Sequence, residues 1–569
     1  MIQHNILISY RSFKRYRSSF LINLFGLSSG LACVLLIWLW VSDEMSVDKF
    51  HVHDAQLYEV MENVTQETGM LTRYTSPGPM SKALVAEFPE IEKAVTTNAL
   101  WEQRFVLSVD DNDITSVGMY ADPDFFTMFS YGMLHGASEQ VLKDKRSIVL
   151  SENLAMSLFG TTENLIGKSV EWEHESNFLI SGIMKQPPAN SSLKFDFVMS
   201  FELFRDENEW VTNWYNTAPT TYVLLKEGTD VAALNEKIHD IVRVKTENQA
   251  NHRSPFVTKF SDLYLYNRYE NGVQSGGRID YVRLFSVIAV FILLIACINF
   301  MNLSTAQASR RLKEVGVKKA MGASRGALIF QYLSESIFIV LLSTVVALTM
   351  VAFFLPKFNQ ITGKELELIF DSQLLFTILG IMLFTGIIAG SYPAFYLSAF
   401  NPVAVLKGKL NKQTGEQWAR RGLVVFQFSL SIILIVAVWV VYQQIDYMQR
   451  KNLGYDQENI IMVKKTGNLQ ENTKSQTFIN ELRKLPGVLN ASAISHNLRG
   501  RDGGTYGVVW PGKDPENRTE FERVPVDYGA IELLNIKMAQ GRAFDRSFGA
   551  DSSKIIFNQA GIDFMGIKD

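Results

Sequence analysis

Five stretches of this chain run twenty residues or more with almost no charge, and polar sequence of ordinary composition fills the rest. They cover residues 20–42, 283–303, 327–355, 374–397 and 422–442. As a helix, each is long enough to cross a hydrocarbon core of about 30 Å. A signal peptide would be shorter and would end in small residues. The first stretch instead leaves through Trp38 and Trp40 into SDEMSVDKF, which reads as an uncleaved span with interfacial anchors.

Charge between the stretches sets their orientation. The basic N-terminus, residues 1–19, carries Arg11, Lys14, Arg15 and Arg17. Residues 304–326 hold Arg310, Arg311, Lys313, Lys318, Lys319 and Arg325 against a single acid, Glu314. Lys407, Lys409, Lys412, Arg420 and Arg421 follow the fourth stretch, with Glu416 opposing them. The segment from Pro356 to Asp371 lacks this bias. Excess Lys and Arg marks cytoplasmic loops, so the N-terminus lies inside, and residues 43–282 and 443–569 lie outside.

Within these outer segments the period changes. YEVMENV and TYVLLKE alternate as strands do, while Met80–Ala94 reads as a helix with Leu84, Phe88 and Ile91 inward. The expected fold class is therefore an α-helical membrane protein with five spans and two mixed α/β extracytoplasmic domains. Across 569 residues the net charge is -3, so no basic excess points to nucleic acid. The two cysteines, Cys33 and Cys297, both fall in apolar stretches as packing residues, leaving the outer segments without a disulfide.

Asn299–Ser336 is the most informative stretch. It leaves one span, crosses the basic residues and enters the next. Leu312, Val315 and Lys319 share a helical face, and Glu314 to Lys318 is a favourable i,i+4 pair. Gly322 suits a left-handed helix end and Ser324 a following N-cap. The expectation is a short helix along the inner membrane surface. Asn299 and Asn302 sit near the inner end of the second span, where amides bond neighbouring helices. Glu335 lies inside the third span, where an ionisable group is costly unless it faces protein or water. Tyr392-Pro393 is expected to bend or stop the fourth span.

The outer segments also repeat. Phe88-Pro89-Glu90-Ile91 is echoed by Leu485-Pro486-Gly487-Val488, and Ser147–Gly160 by Lys554–Gly566. The first copy continues for more than 100 residues beyond Gly160, whereas the second stops three residues beyond Gly566. The expectation is that the second domain is incomplete and that a longer protein would add about three spans and a second basic helix.

Two chemical readings are weak. Ile166-Gly167-Lys168-Ser169 resembles the tail of a phosphate loop, but the required earlier glycine is Thr162. His51-Val52-His53, with Asp48 and Asp54, could begin a metal site, yet no further cluster completes it. A structural stem is the preferred reading.

Asn299–Ala306, Arg311–Ala323, the Ser391-Tyr392-Pro393-Ala394 end of the fourth span, and Ser147–Gly160 with Ile166-Gly167-Lys168 together resemble a MacB-type ABC transporter permease with FtsX-like membrane domains. The likeness is to the duplicated form without a fused ATPase. It implies a periplasmic core domain and a bacterial inner-membrane location. It implies a cytoplasmic coupling helix at 304–326, carried by Arg311, Lys313, Glu314, Val315, Gly316, Lys318, Lys319, Gly322 and Ala323. The implied partner is a separate cytoplasmic ATPase dimer, which would hold ATP and Mg so that this chain binds no cofactor. A second permease copy, a periplasmic adaptor or an outer-membrane component are further expected partners, beside the lipid bilayer. The implied role is to turn ATP-driven closure into movement of periplasmic domains, for efflux, extraction or release of an antibiotic, peptide or lipoprotein. The alternative is a membrane signalling or scaffold protein that transports nothing and regulates a cell-wall partner.

Overall fold

A computed structural model describes residues 17–66, 69–98, 103–399, 414–451, 453–465, 469, 471–495, 498, 504–505, 507–514 and 519–567. The chain forms two compact units, one from residues 1–46 and 278–450, the other from 47–277 and 451–569. Among the described residues, five long helices make the first: α1 (Arg17–Ser46), α2 (Arg278–Ala320), α3 (Arg325–Thr362), α4 (Ser372–Ala399) and α5 (Thr414–Arg450). Each is long and apolar enough to cross a membrane.

All five helices extend beyond the apolar stretches read from the sequence. The second span and the basic segment form one 43-residue helix, α2, and not a span followed by a separate surface helix. At 1.5 Å per residue it is about 64 Å long. Ala, Leu, Lys, Arg and Glu are strong helix formers, so the loss of hydrophobicity after Leu303 does not end the helix. Helix α3 continues through Pro356 to Thr362, and α4 continues through Pro393 to Ala399. Of the bend or stop expected at Tyr392-Pro393, the stop is thus absent. Neighbouring helices make an internal proline tolerable in such bundles.

Small residues bring the helices together. A Cβ on Gly30 of α1 would lie 2.7 Å from the Ala296 Cβ of α2, and one on Gly390 of α4 would lie 2.7 Å from the Ser336 Cβ of α3. Around these contacts Leu27, Leu31, Leu35, Cys297, Phe300, Val340, Ala347 and Ala389 form the buried core. Helix α5 stands apart from that core, with only 6 % of its apolar stretch buried.

The second unit is built on a twelve-stranded sheet. Its strands are β1 (Leu57–Gln66), β2 (Gly69–Arg73), β3 (Ile91–Thr97), β4 (Gln103–Val109), β5 (Asn112–Ala121), β6 (Met133–His135), β7 (Ser147–Ser151), β8 (Ser169–Trp172), β9 (Ser176–Met184), β10 (Phe197–Ser200), β11 (Thr220–Leu225) and β12 (Arg253–Lys259). The main order is β10-β7-β9-β8-β4-β5-β3-β11-β1-β12, and β10 also pairs in parallel with β5. Six strands therefore close into a ring around Leu107, Ile148, Leu150, Phe178 and Phe197. β6 pairs with β9 at the side of the ring, and β1, β2, β3, β11 and β12 form a lobe covered by helices at Met80–Glu87 and Val231–Ile238, over Val60, Leu84, Ile91 and Val223. Only Thr97↔Ala121 pairs β3 with β5, and an aromatic core that includes Phe125, Phe129, Tyr131, Tyr222 and Phe260 packs the two lobes together.

The expected helix over Met80–Ala94 ends early, at Glu87. Phe88 is extended ahead of Pro89, as a residue before proline prefers, and Ile91 opens β3.

In the later segment the helices of the repeat are visible. Asn558 caps Gln559–Met565 and Gly566 closes it at φ 64°, matching Ser151, Glu152–Phe159 and Gly160 at φ 70°. The helix Asn472–Leu482 matches Met80–Glu87 in its place before the Pro-containing turn. Among the described residues, the strands corresponding to β7 are not formed there.

Candidate functional site

The turn from α2 into α3 is closed by backbone geometry. Gly322 has φ 97°, a conformation open to glycine, and its N–H donates to the Lys319 carbonyl at 3.0 Å. Ala323 N–H donates to the Lys318 carbonyl at 3.0 Å. Ser324 then caps α3, its hydroxyl accepting from Ala327 N–H at 3.2 Å.

Beneath the turn lies a small apolar seat. Val315 is buried with Leu328, Tyr332 and Ala394, against Ala323 and Tyr396. Gly316 is buried beside it. Lys318 donates to Gln331 at 3.4 Å, and Lys319 donates to the Ser398 carbonyl at 2.6 Å. The ends of α2 and α4 and the start of α3 are thus tied into one piece. Above the seat, Met321 is 82 % exposed and Val317 48 % exposed. The side chains of Arg311, Lys313 and Glu314 lie outside the described residues, as do Lys407, Lys409 and Lys412. Tyr392 and Pro393 continue the helix, with Tyr392 stacked on Tyr396 at 6.2 Å.

The polar residues of the spans take different places. Asn299 lies at the crossing of α1 and α2, its Nδ2 3.3 Å from where a Cβ on Gly26 would be. Asn302 keeps a buried Oδ1 without a hydrogen bond, as does Asn23. Glu335 is half-buried on α3, one residue before the Ser336 that abuts Gly390.

An ion cluster that the sequence reading missed sits where α1 ends and α2 begins. Glu44 is buried and accepts from Arg278 at 3.1 and 3.0 Å, and Lys364, just beyond α3, approaches it at 3.2 Å. Lys364 also meets Asp43 at 2.7 Å. The signal for the close crossings was legible: Gly26 and Gly30, and Gly386 and Gly390, each form a G-x-x-x-G.

His51 and Asp48 belong to the second unit. The His51 ring lies among Phe50, Phe129, Tyr131 and Phe260, with centroids 4.1–5.8 Å away. Its Nδ1 accepts from Ser130 N–H at 3.2 Å, and its buried Nε2 has no hydrogen bond. Burial lowers its pKa to about 4. Asp48 accepts from Ser192 N–H at 2.7 Å through Oδ1, while its buried Oδ2 has no hydrogen bond. Burial raises its pKa to about 6. His53 is half-buried, and among the described residues no group of three or more His, Cys, Asp or Glu could hold a metal ion. Near the phosphate-loop-like tetrapeptide, Gly167 lies in a turn at φ 82° and Ser169 opens a strand, where a phosphate loop needs a helix.

Residues 20–241 match the MacB-like periplasmic core domain family, and residues 286–402 match the FtsX-like permease C-terminal family. The macrolide export ATP-binding/permease protein MacB of Burkholderia lata is 22 % identical over 341 residues, covering 58 % of this chain and 46 % of that protein. The protein of the same name from Agrobacterium fabrum is 26 % identical over 328 residues, covering 54 % and 45 %. The chain spans about half the length of the curated relatives it matches. The periplasmic region of MacB from Actinobacillus actinomycetemcomitans aligns at 12 % identity and a TM-score of 0.27, covering 36 % of this chain and 89 % of that one.

Proposed function

We propose that this chain, a MacB/FtsX-like ABC transporter permease, passes the work of a separate cytoplasmic ATPase dimer to its periplasmic core domain. The observation that carries this reading is the unbroken α2. It starts one residue after Gly277, the end of the main stretch of the second unit, and runs through a membrane-length apolar stretch to the basic turn. A continuous helix transmits displacement along its axis, where a flexible joint would absorb it. The seat of Val315, Lys318 and Lys319 on α3 and α4 lets a push on the exposed turn move all three helices.

In this reading the N-terminus and residues 304–326 face the cytoplasm, and ATP and Mg bind to the partner. The role is mechanotransmission, and the cargo class is efflux, extraction or release of a periplasmic or membrane substrate. Gly322 provides the test, because a Cβ there meets no atom within 4 Å and the cost of Gly322→Val is backbone strain alone. With the ATPase in nanodiscs, Gly322→Val should keep the two proteins associated but reduce the stimulation of ATP hydrolysis by this chain. Native stimulation in that variant contradicts the proposal.

A further inference from the structure

We infer that Asp48 and His51 form a proton-compensated staple, which docks the stem following the first span into the inter-lobe core with a strength that pH barely changes. The inference concerns the second unit alone and stands whether or not the chain couples to an ATPase.

Geometry makes both docked groups neutral. His51 Nδ1 accepts from Ser130 N–H at 3.2 Å, so it carries no proton, and Nε2 is enclosed by aromatic rings with no acceptor to balance an imidazolium. The Ser192 N–H bonds Asp48 Oδ1 and the Ser192 side chain also favours the anion, but burial outweighs both, Oδ2 is buried with no hydrogen bond, and Glu59 on β1 holds a second buried oxygen, Oε1, in the same state. Two such carboxylates cannot both ionise cheaply in an apolar core. The charges around the pair are few. Lys194 favours the Asp48 anion, and Asp54 and Glu59 oppose it. Asp54 favours the His51 cation but is itself held by Lys259 at 2.8 Å. Tyr131 and Tyr222 stay protonated because burial pushes both phenols up.

A released stem exposes Asp48 and His51 to water, where they ionise near about 4 and 6.5. Between those values the free stem carries a carboxylate and an imidazolium, and the docked stem carries a carboxylic acid and an imidazole. Docking therefore moves one proton from His51 to Asp48 and draws none from solution. Asp48 alone would weaken docking as pH rises, because its docked pKa of about 6 lies above the free value. His51 alone would weaken docking as pH falls, because its docked pKa of about 4 lies below the free value. The two slopes oppose over the same window.

Isosteric variants separate the slopes. Asp48→Asn keeps an oxygen for Ser192 N–H and suits the local φ of 61°, and His51→Gln keeps a neutral acceptor for Ser130 N–H. The experiment follows hydrogen–deuterium exchange of peptides spanning 47–56 in the full chain in detergent from pH 4 to 7, with intrinsic exchange divided out and β11 peptides as the folding control. Native stem opening should vary by no more than about 3-fold. Asp48→Asn should open about 100-fold more at pH 4 than at pH 7, and His51→Gln about 50-fold less. Native opening that changes more than about 10-fold, or variant slopes that do not oppose, overturns the staple.

Discussion

Lys319, near the end of α2, donates to the carbonyl oxygen of Ser398, the penultimate residue of α4, over 2.6 Å. The bond puts a cation on the negative end of a helix dipole and joins two helices far apart in sequence. It also assigns a structural task to one of the basic residues between the second and third spans. The exposed tip beside it, Met321, is apolar.

Lys319→Met keeps the aliphatic stem but removes the charge and the donor. The expected loss is about 0.5–1 kcal/mol, read as a small fall in Tm in detergent. Disulfide trapping between cysteines placed on the ends of α2 and α4 should also become slower, and an unchanged trapping rate would show that the bond does not hold α4.

Glycine packing predicts a sharper contrast. Gly30→Val and Gly390→Val each drive a side chain into a neighbouring helix and should cost about 1–3 kcal/mol. Gly380→Val meets no atom within 4 Å and should be nearly neutral by comparison. Thermal unfolding of the three variants in one detergent gives the ranking, and equal shifts would discount the close crossings.

Glu44 accepts from Arg278 and meets Lys364 in a cluster joining three helices of the first unit. Glu44→Gln should cost about 1–3 kcal/mol, less than a fully buried pair because Arg278 is 45 % exposed in its side chain. The same variant should increase hydrogen exchange at the start of α2 more than in the middle of α3. Uniform change along both helices would argue against a local clamp.

In the second unit, Glu62 and Arg253 form a buried two-bond pair at 2.8 Å, and Arg253 also donates to the Trp214 carbonyl. Glu62→Ala should cost about 3–5 kcal/mol because it leaves a buried guanidinium without its counter-charge. Replacing both partners with apolar residues should recover much of that loss. Denaturant titration followed by tryptophan fluorescence distinguishes the two, and a double variant no better than the single would contradict the reasoning.

The five long apolar helices were legible because a charge-free run of bilayer length has few other uses. Their ends were not. In the sequence the third stretch ends at residue 355 and Pro393 reads as a bend or stop, but a packed helix bundle absorbs a lost N–H that an isolated helix could not. Helix α2 read as two pieces because hydrophobicity falls after Leu303, although helix propensity does not. The turn residues Gly322 and Ser324 were readable from local chemistry, since a positive φ and an N-cap each demand a small set of residues. Glu44, Arg278 and Lys364 were not readable as a set, because nothing in sequence spacing brings positions so far apart to one point. His51 was visible as a residue of interest, yet only the fold reveals that its neighbours are aromatic rings and not further ligands.

The central claim, that the basic turn receives a cytoplasmic ATPase, is tested most directly at Met321, which is 82 % exposed at its tip. A photo-crosslinking residue placed there in living cells should trap an ABC ATPase subunit, in a yield that changes when ATP is depleted. A crosslinker at Val52, 82 % exposed on the second unit, should trap none. ATPase adducts from Val52 and none from Met321 would contradict the account.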